Sequence, residues 1–526
     1  MSFVFGIDLG TTFSAISYID EFQRPILITN KENSPITPSV VHFQSDGSYV
    51  VGAGAVRALI TDHINVVSFV KTKMGKDVHP YTFYGEEYTP QKISAFILKK
   101  LKRDAETYFR QKGEEVEVKD VVITVPAYFG MQQKSATKEA GELAGFNILM
   151  ILNEPTAAAL AYTLNRRRKN QTVFGFDLGG GTFDITILEI NGNDIKMLAT
   201  DGNADLGGKN WDDSIVEYCA SIFINRYGED PRDNPVSYQY LYEQVVGSKI
   251  ALSDATITTI PVFHNGKTEM VEITRERFEK LTSQYLGECK DKCGNVLEKA
   301  ERNWSDIDTI LLVGGSTYMP MIKNMIHQIS GKEPSNEVNP DQCVAIGAAY
   351  QAKYRIIEEE VLRIQEIDGD QAAEKARIQL LQNLPNIKIY ECVSKSLGTD
   401  VLLENGMIGI SEIIPEQSPI PTTKEEYYAY SSDDQTSLTS LITEGKGEYL
   451  EDVTTVGEVI LDNLPPRKKG ASIKVIFTIN RDKTLDVQVI DVETGQKGEG
   501  KVSLVGGISA KDLAIEAINI ENKKQG

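Results

Sequence analysis

One short pattern occurs twice in this chain and limits what the chain can fold into. Residues 174–184 read Phe-Gly-Phe-Asp-Leu-Gly-Gly-Gly-Thr-Phe-Asp, and a second apolar run follows at once. Glycines that join two strand-like runs predict a hairpin whose tip has almost no side chains. Such a tip exposes backbone N–H groups that can converge on an anion such as a phosphate.

Two aspartates and a threonine flank this tip. Asp177 and Asp184 would repel a phosphate directly, so the pattern predicts a hard cation between them, and Mg²⁺ prefers carboxylate and phosphate oxygens. Thr182 adds a hydroxyl donor. The hairpin is therefore interpreted as one half of a site for a magnesium nucleotide.

The other half of the predicted site lies at the N-terminus. Residues 3–14 repeat the order of strand-like run, Asp, Leu, Gly and small turn residues, with Asp8 in the place of Asp177. A single copy would be interpreted as a structural glycine turn, but two copies with the acid in the same place indicate a duplication. A third strand-like run, residues 309–313, is followed by Gly-Gly-Ser, where a flat adenosine group can approach the backbone.

Three such loops in this order resemble the fold shared by actin, sugar kinases and heat-shock chaperone ATPases. Residues 123–129 (Ile-Thr-Val-Pro-Ala-Tyr-Phe) and 152–159 (Leu-Asn-Glu-Pro-Thr-Ala-Ala-Ala) narrow the resemblance to the DnaK-type seventy-kilodalton heat-shock chaperones. The similarity runs, with gaps, from residue 3 to about 509. Because one short helix is expected where the family has its helical lid, the chain resembles a short, lidless, HscC-like variant.

The resemblance implies an α/β actin-like ATPase with duplicated α/β lobes, followed by an antiparallel β-sandwich. Residues 1–385 would form the ATPase, with a charged helical extension near 354–384 whose alternating charges predict a solvent-exposed helix. Residues 386–393 would be the interdomain linker, residues 394–508 the peptide-binding sandwich, and residues 509–526 a short helix that represents a truncated lid. Short alternating segments between turn residues also favour the sandwich.

The family's functional residues can be carried over to matching positions. Lys71, Glu154, Asp177 and Thr182 would be catalytic, with Lys71 against the γ-phosphate and Glu154 near the metal and the attacking water. Asp8 and Asp177 would bind the metal. The residues implied in ATP binding are Gly10, Thr11, Thr12, Phe13, Gly179, Gly180, Gly181, Thr182, Gly207, Gly208, Lys249, Ser253, Gly314, Gly315, Ser316 and Asp341.

The resemblance also implies residues that connect the two domains. Pro126 and Lys134 would form the relay that reports bound ATP, although the family has an arginine where Lys134 stands, and lysine lacks its planar fork of donors. In the linker, residues 387–391 alternate in polarity, and Lys388 is still compatible with a strand that has one polar face.

Three residues of the sandwich would line the groove for an extended apolar peptide: Ile410, Ser437 and Ile442. An alternative interpretation places the two isoleucines simply in the hydrophobic core. An open groove without a lid is expected to bind and release clients quickly.

Charge and composition exclude several other classes. The net charge of −20 argues against non-specific binding to nucleic acid or to an anionic membrane surface. No apolar run reaches the length of a membrane span, and the first residues open directly into a strand-like run, so a cytoplasmic location is expected. The five scattered cysteines fit a reducing compartment, and Cys289 and Cys293 lack the second pair of a zinc site.

The resulting hypothesis is an ATP-dependent chaperone that uses ATP/ADP and Mg²⁺ and binds unfolded or extended polypeptide clients. The alternative is an ATP-bound adaptor or holdase with little turnover; a small-molecule kinase is disfavoured because a C-terminal sandwich has no place in phosphate transfer to a sugar. Met150, Lys134 and Lys388 replace residues typical of the family. The chain is therefore expected to respond poorly to a general J-domain protein, and either to run at its basal rate or to use a dedicated J-domain co-chaperone together with a nucleotide-exchange factor.

Overall fold

The computed structural model describes residues 3–76, 78–165, 170–335, 337–381, 384–480, 483–501 and 510–526. The strands and helices up to residue 165 are β1 (Phe5–Asp8), β2 (Phe13–Ile19), β3 (Pro25–Leu27), β4 (Thr37–Pro38), β5 (Val41–Phe43), β6 (Tyr49–Val51), α1 (Ala53–Thr61), β7 (Val66–Val67), β8 (Tyr81–Phe83), β9 (Glu86–Tyr88), α2 (Pro90–Gln111), β10 (Asp120–Val125), α3 (Met131–Leu143), β11 (Asn147–Asn153) and α4 (Glu154–Asn165).

The next elements run to residue 381 and are β12 (Gln171–Leu178), β13 (Phe183–Asn191), β14 (Asp194–Asn203), α5 (Gly208–Tyr227), α6 (Pro235–Asp254), β15 (Ile257–His264), β16 (Lys267–Thr274), α7 (Arg275–Leu281), α8 (Ser283–Lys299), β17 (Thr309–Val313), α9 (Pro320–Ser330), α10 (Cys343–Asp368) and α11 (Asp370–Leu381).

The last elements are β18 (Lys388–Cys392), β19 (Leu397–Leu402), β20 (Ile408–Ile414), β21 (Pro419–Ile420), β22 (Thr422–Ala429), β23 (Leu438–Glu444), β24 (Thr454–Leu461), β25 (Ser472–Ile479), β26 (Leu485–Asp491), β27 (Lys497–Lys501) and α12 (Ala510–Asn522). The expected start of this last helix at Ser509 lies outside the described residues.

Two six-stranded sheets repeat the same central arrangement. In the first sheet, ordered β11-β10-β1-β2-β3 with β4 beside β2, the hairpin β1–β2 has the parallel neighbour β10. In the second sheet, ordered β17-β12-β13-β14-β18-β21, the hairpin β12–β13 has the parallel neighbour β17. Asp8 ends β1 and Asp177 lies at the end of β12, so the duplicated acids occupy corresponding places.

Helix α10 packs against helix α4 and against the first sheet. A Cβ on Gly347 would lie 1.8 Å from the carbonyl oxygen of Ala157 in α4, and a Cβ on Gly6 in β1 would lie 2.0 Å from Ala349 N. Only glycine allows backbones to approach this closely. Helix α10 therefore fixes the position of α4, which begins at Glu154, relative to the strand that ends at Asp8.

The expectation of a solvent-exposed extension near 354–384 is wrong for one face of it. Tyr354, Ile357 and Val361 of α10 are buried in the core that also contains α4 and the linker. Their spacing of three and four residues makes an apolar stripe that packs inward, while the charged residues occupy the opposite side of the helix. Helix α11 folds back along α10 and buries Ala373 and Leu381 in the same core.

The linker forms the strand that its alternating polarity predicts. Strand β18 pairs in parallel with β14, with Ile389 opposite Ile195, and antiparallel with the short strand β21. The linker therefore extends the sheet that contains the glycine-rich hairpin β12–β13, and the side chain of Lys388 is exposed.

Two four-stranded antiparallel sheets follow the linker, ordered β20-β19-β23-β24 and β22-β25-β26-β27. Both contribute to one hydrophobic core, for example with Ile442 from the first sheet and Phe477 from the second. Met131 at the start of α3 belongs to the same core, so the first domain closes part of it.

Helix α12 returns to the N-terminal part of the molecule. Ile520 is buried in the core of the first sheet, and the buried Lys99 in α2 donates a hydrogen bond to the Ile520 carbonyl. Residues 524–526 run beside β6, where Tyr49 N donates to Lys524 O (3.1 Å) and Gly526 N donates to Tyr49 O (2.8 Å). No helix among the described residues is long and apolar enough to cross a membrane.

Candidate active site

A cleft of about 900 Å³ is lined by residues of both six-stranded sheets. The lining contains these residues that the sequence singled out for catalysis, metal binding or ATP binding: Asp8, Gly10, Thr11, Thr12, Phe13, Lys71, Glu154, Asp177, Gly179, Gly180, Thr182, Gly208, Lys249, Ser253, Gly314, Gly315, Ser316 and Asp341. Gly181 and Gly207 are not among the lining residues but pack directly on each other, since a Cβ on Gly207 would lie 2.4 Å from Gly181 N.

The glycine-rich loops approach one another too closely for side chains. A Cβ on Gly180 would lie 1.7 Å from Thr12 Oγ1. The tips of the two duplicated hairpins are therefore in direct contact. A Cβ on Gly208 would lie 2.4 Å from Ser316 Oγ, which itself donates to Gly179 O (2.9 Å). Four separate loops therefore meet at one place, and their glycines leave room there for an anion to approach the backbone.

Lys71 lies on a short 3-10 turn, Val70–Lys73, at the floor of the cleft. Phe69 precedes it with a φ of 58°, a left-handed conformation that is rare for a bulky residue and turns the chain into the cleft. Lys71 Nζ lies 2.6 Å from Glu154 Oε1, and both side chains are buried. The sequence separates these two residues by 83 positions, and only the fold brings them together.

The aspartates near Lys71 have raised pKa values, because the positive charge of this lysine does not balance the carboxylates around it. Burial, and then repulsion by Glu154, raise the pKa of Asp8 to about 7. The same two causes raise the pKa of Asp184 to about 7 and that of Asp177 well above its usual range. Burial alone would lower the pKa of Lys71, but Glu154 and Asp8 raise it above its ordinary value, so Lys71 stays charged.

This donor set fits a magnesium nucleotide. Among the described residues, no three His, Cys, Asp or Glu side chains are grouped closely enough to hold a metal alone. Mg²⁺ usually takes one or two carboxylates together with phosphate oxygens and waters. Within the described part of the chain, Thr12 Oγ1 is buried in the cleft without a hydrogen-bond partner. Excess carboxylate charge and an unsatisfied hydroxyl beside bare backbone match a bound cation and phosphate.

The far end of the cleft shows a residue that the sequence reasoning missed. Lys249 Nζ lies 2.8 Å from Asp212 Oδ1 and donates to Gly208 O (3.0 Å). Asp212 thus fixes the lysine against the glycine loop. The sequence signal for this role was the position of Asp212 in α5, one helical turn after Gly208. Tyr318 also lines this end, and burial followed by the charge of Asp341 raises its pKa.

Pro126 and Lys134 lie on a path from the cleft to the sandwich. After Pro126, Tyr128 N donates to Asp184 Oδ1 (2.8 Å) at the base of the glycine-rich hairpin. On the other side, Ser394 Oγ donates to Phe129 O (3.3 Å) and receives a hydrogen bond from Lys134 Nζ (3.4 Å). A short run of contacts therefore connects Asp184 of the glycine-rich hairpin with the start of the sandwich.

The three residues predicted for the peptide groove have different environments. Ser437 is exposed, Ile410 is half-buried, and Ile442 is 0% exposed within the sandwich core. The burial of Ile442 agrees with the alternative interpretation of that residue as core. A groove role for these residues stays a prediction.

Comparison with known proteins gives consistent matches over nearly the whole chain. A family model described as "Hsp70 protein" matches residues 4–525. The chain is 38% identical over 518 residues to a protein of Thermosipho melanesiensis named "Chaperone protein DnaK", covering 97% of this chain and 82% of that protein. A protein of the same name from Thermosipho africanus is 38% identical over 518 residues, covering 97% of this chain and 81% of that protein.

Proposed function

Because the chain belongs to the Hsp70 family, we propose that it is an ATP-dependent molecular chaperone that binds extended apolar segments of unfolded polypeptides. In this proposal residues 1–385 form an actin-like ATPase with duplicated lobes, residues 386–393 the linker, and residues 394–508 the peptide-binding sandwich. Residues 509–526 are assigned to a C-terminal helical segment, of which the structure describes helix α12, Ala510–Asn522.

Hydrolysis is proposed to use the groups gathered at the floor of the cleft. The glycine loops donate backbone N–H groups to the phosphates, and Thr182 adds a hydroxyl. Lys71 meets the negative charge that develops on the γ-phosphate, which a preorganised buried cation does without reorganisation. Glu154, 2.6 Å from Lys71, holds that ammonium and orients the attacking water.

Asp8 and Asp177 are the residues that would hold Mg²⁺. The bound ion supplies positive charge that offsets the phosphate oxygens and the carboxylates. The raised pKa values of Asp8 and Asp177 express the same requirement for a cation. Lys249 and Ser253, one turn apart on α6, would contact the adenosine, with Asp212 orienting the lysine.

The observation that carries the chaperone proposal is the placement of the linker strand. Strand β18 lies in the same sheet as the phosphate-side hairpin β12–β13, separated from it only by β14. A change at the hairpin can therefore shift the strand that leads into the sandwich. This geometry favours an ATPase that controls a binding domain over a small-molecule kinase, which needs no such connection.

Turnover of the purified protein separates the proposed function from its alternative. Many ATP molecules hydrolysed per chain, at a rate that an apolar peptide changes, are expected of the chaperone. Tight ATP binding with little hydrolysis would instead favour the ATP-bound adaptor or holdase. Phosphate transfer to a sugar in place of hydrolysis would contradict both.

We further propose partners of three kinds: unfolded clients, a dedicated J-domain co-chaperone and a nucleotide-exchange factor. The dedicated co-chaperone rests on Met150, Lys134 and Lys388, where arginine contacts or linker apolarity are altered. A cytoplasmic location belongs to the same proposal. Pull-down with candidate J-domain proteins, followed by ATPase assays with each, tests the co-chaperone assignment.

A further inference from the structure

We propose that Lys483 of the C-terminal sandwich is a positioning residue that couples the sandwich and the linker to the residues on either side of Glu154. The inference deepens the proposed function and rests on it. Lys483 lies in the turn between β25 and β26, outside the residues assigned to the cleft, the relay and the peptide groove.

The ammonium group of Lys483 contacts two other parts of the chain at once. Its Nζ lies 2.7 Å from Glu391 Oε2 in the linker strand β18 and donates to Asn153 Oδ1 (3.1 Å) at the end of β11. The side chains of Lys483 and Glu391 are only 2% and 4% exposed. Asn153 directly precedes Glu154, so a lysine of the sandwich reaches the residue next to the catalytic carboxylate.

Glu391 completes the arrangement from the other side. Its second oxygen, Oε1, accepts a hydrogen bond from Thr156 Oγ1 (3.1 Å) in the first turn of α4. The Lys483–Glu391 pair therefore holds the residue before Glu154 and the residue two positions after it. Glu154 in turn holds Lys71 at 2.6 Å. The orientation of this first turn consequently depends on whether linker and sandwich are both in place.

The energetics of a buried ion pair make the two contacts interdependent. A buried charge that loses its ion-pair partner is strongly unfavourable, so removal of either Lys483 or Glu391 destabilises the contact made by the other. Withdrawal of the sandwich removes the lysine, and Glu391 and Asn153 then lose a charged partner together. When binding of a client peptide moves the sandwich, the contacts that orient the first turn of α4 are lost. The peptide site and the cleft are in this way energetically coupled.

The backbone at Lys483 supports a role for the side chain. Its φ is 68°, in the left-handed region that favours glycine, and its N–H closes the turn by donating to Asn480 O (3.0 Å). The turn alone would favour glycine at this position. The lysine is thus explained by what its ammonium contacts across the interface, and not by the turn that carries it.

The test compares three variants at this position with a matched control. Lys483→Gly removes the side chain and suits the turn, Lys483→Met removes only the charge, and Lys483→Arg keeps the charge. Lys424→Met is the control, because Lys424 is an exposed lysine on β22, the strand paired with β25. ATP hydrolysis is measured with and without a short synthetic peptide that has a leucine core flanked by lysines.

We expect the Gly and Met variants to lose the response to peptide, so that the rates with and without peptide agree within about twofold. Their affinity for ATP stays within about twofold of the unmodified protein, because Lys483 does not line the cleft. Lys483→Arg retains most of the response and Lys424→Met retains all of it. A full peptide response in Lys483→Met or Lys483→Gly, with an unchanged melting temperature, would overturn the proposal.

Tryptic cleavage after Lys388 gives a second readout that does not need hydrolysis. Pairing of β18 with β14 protects this bond, and we expect Lys483→Met to speed its cleavage by about fivefold or more. If the unmodified protein does not hydrolyse ATP, the proposed function fails while this measurement still judges the coupling. If Lys483→Met does not fold, Glu391→Gln is measured in its place. Unchanged cleavage in the folded variants would contradict the inference.

Discussion

Lys134 should make the docking of the sandwich on the first domain dependent on pH. The residue is buried beside the interface, and Met131, one turn earlier on α3, packs in the sandwich core. Burial, and then repulsion by Lys483, lower the pKa of Lys134 from 10.5 to about 8, while Glu444 and Glu391 partly oppose this and Lys395 adds to it. When the sandwich withdraws, Lys134 regains solvent and its ordinary pKa.

The sign of the effect follows from proton linkage. Between the two pKa values the docked state binds fewer protons than the undocked state, so raising the pH favours docking. With a docked pKa of about 8 and an undocked value of 10.5, the docking constant increases about twentyfold between about pH 7.5 and 9.5. That ratio corresponds to about 2 kcal/mol.

Energy transfer between two dyes measures the docked fraction. All five native cysteines are buried, so dyes will react selectively with cysteines introduced at the exposed positions Glu114 and Lys424. The fraction is followed in mild urea at each pH, which brings both states into the measurable range. The same series on Lys134→Met, which cannot titrate, should lose this increase.

Two results would refute the reasoning. One is an equal pH dependence in Lys134→Met, which would assign the titration to another group. The other is weaker docking at higher pH in the unmodified protein, which would mean that the buried lysine is stabilised in its charged form by Glu391 and Glu444. Either outcome would show that the desolvation of Lys134 does not control the interface.

Four further predictions concern the cleft and its regulation. Lys71→Ala should keep ATP binding but slow single-turnover hydrolysis by about 100-fold or more, since only the transition state gathers the charge that Lys71 meets; an unchanged rate would remove Lys71 from catalysis. Chelation with EDTA should weaken ATP binding in titration calorimetry, and Asp177→Asn should do part of the same; equal affinities would give the acids another role. Gly180→Ala should lower the affinity for ATP, because its Cβ would lie 1.7 Å from Thr12 Oγ1, whereas Gly287→Ala, whose Cβ meets nothing within 4 Å, should not; equal affinities would show that the two hairpin tips can separate freely. A general J-domain protein with an apolar peptide should stimulate the steady-state ATPase less than it stimulates a housekeeping DnaK-type control, because Met150 and Lys134 lack the bidentate donors of arginine; equal stimulation would make those contacts dispensable.

The sequence alone predicted the parts of the site that are encoded locally. Glycine turns after strands, the duplicated Asp-Leu-Gly order and the alternating linker each depend on a few neighbouring residues. Their backbone preferences act over short distances, so Asp8, Asp177 and the glycines could be assigned to the cleft by pattern. Strand β18 likewise follows from polarity that alternates along five residues.

Only the tertiary structure decided which distant residues meet. The Lys71–Glu154 pair, the clamp of Lys249 by Asp212 and the insertion of Lys483 beside Asn153 join residues that are 83, 37 and 330 positions apart. A lysine in a turn has the same local pattern whether it is solvated or buried. Its environment depends on which surfaces pack together, and so does the burial of Ile442 and of one face of α10. Packing between domains brings each buried charge to its partner, and this information is spread over the whole fold rather than over any short stretch of sequence.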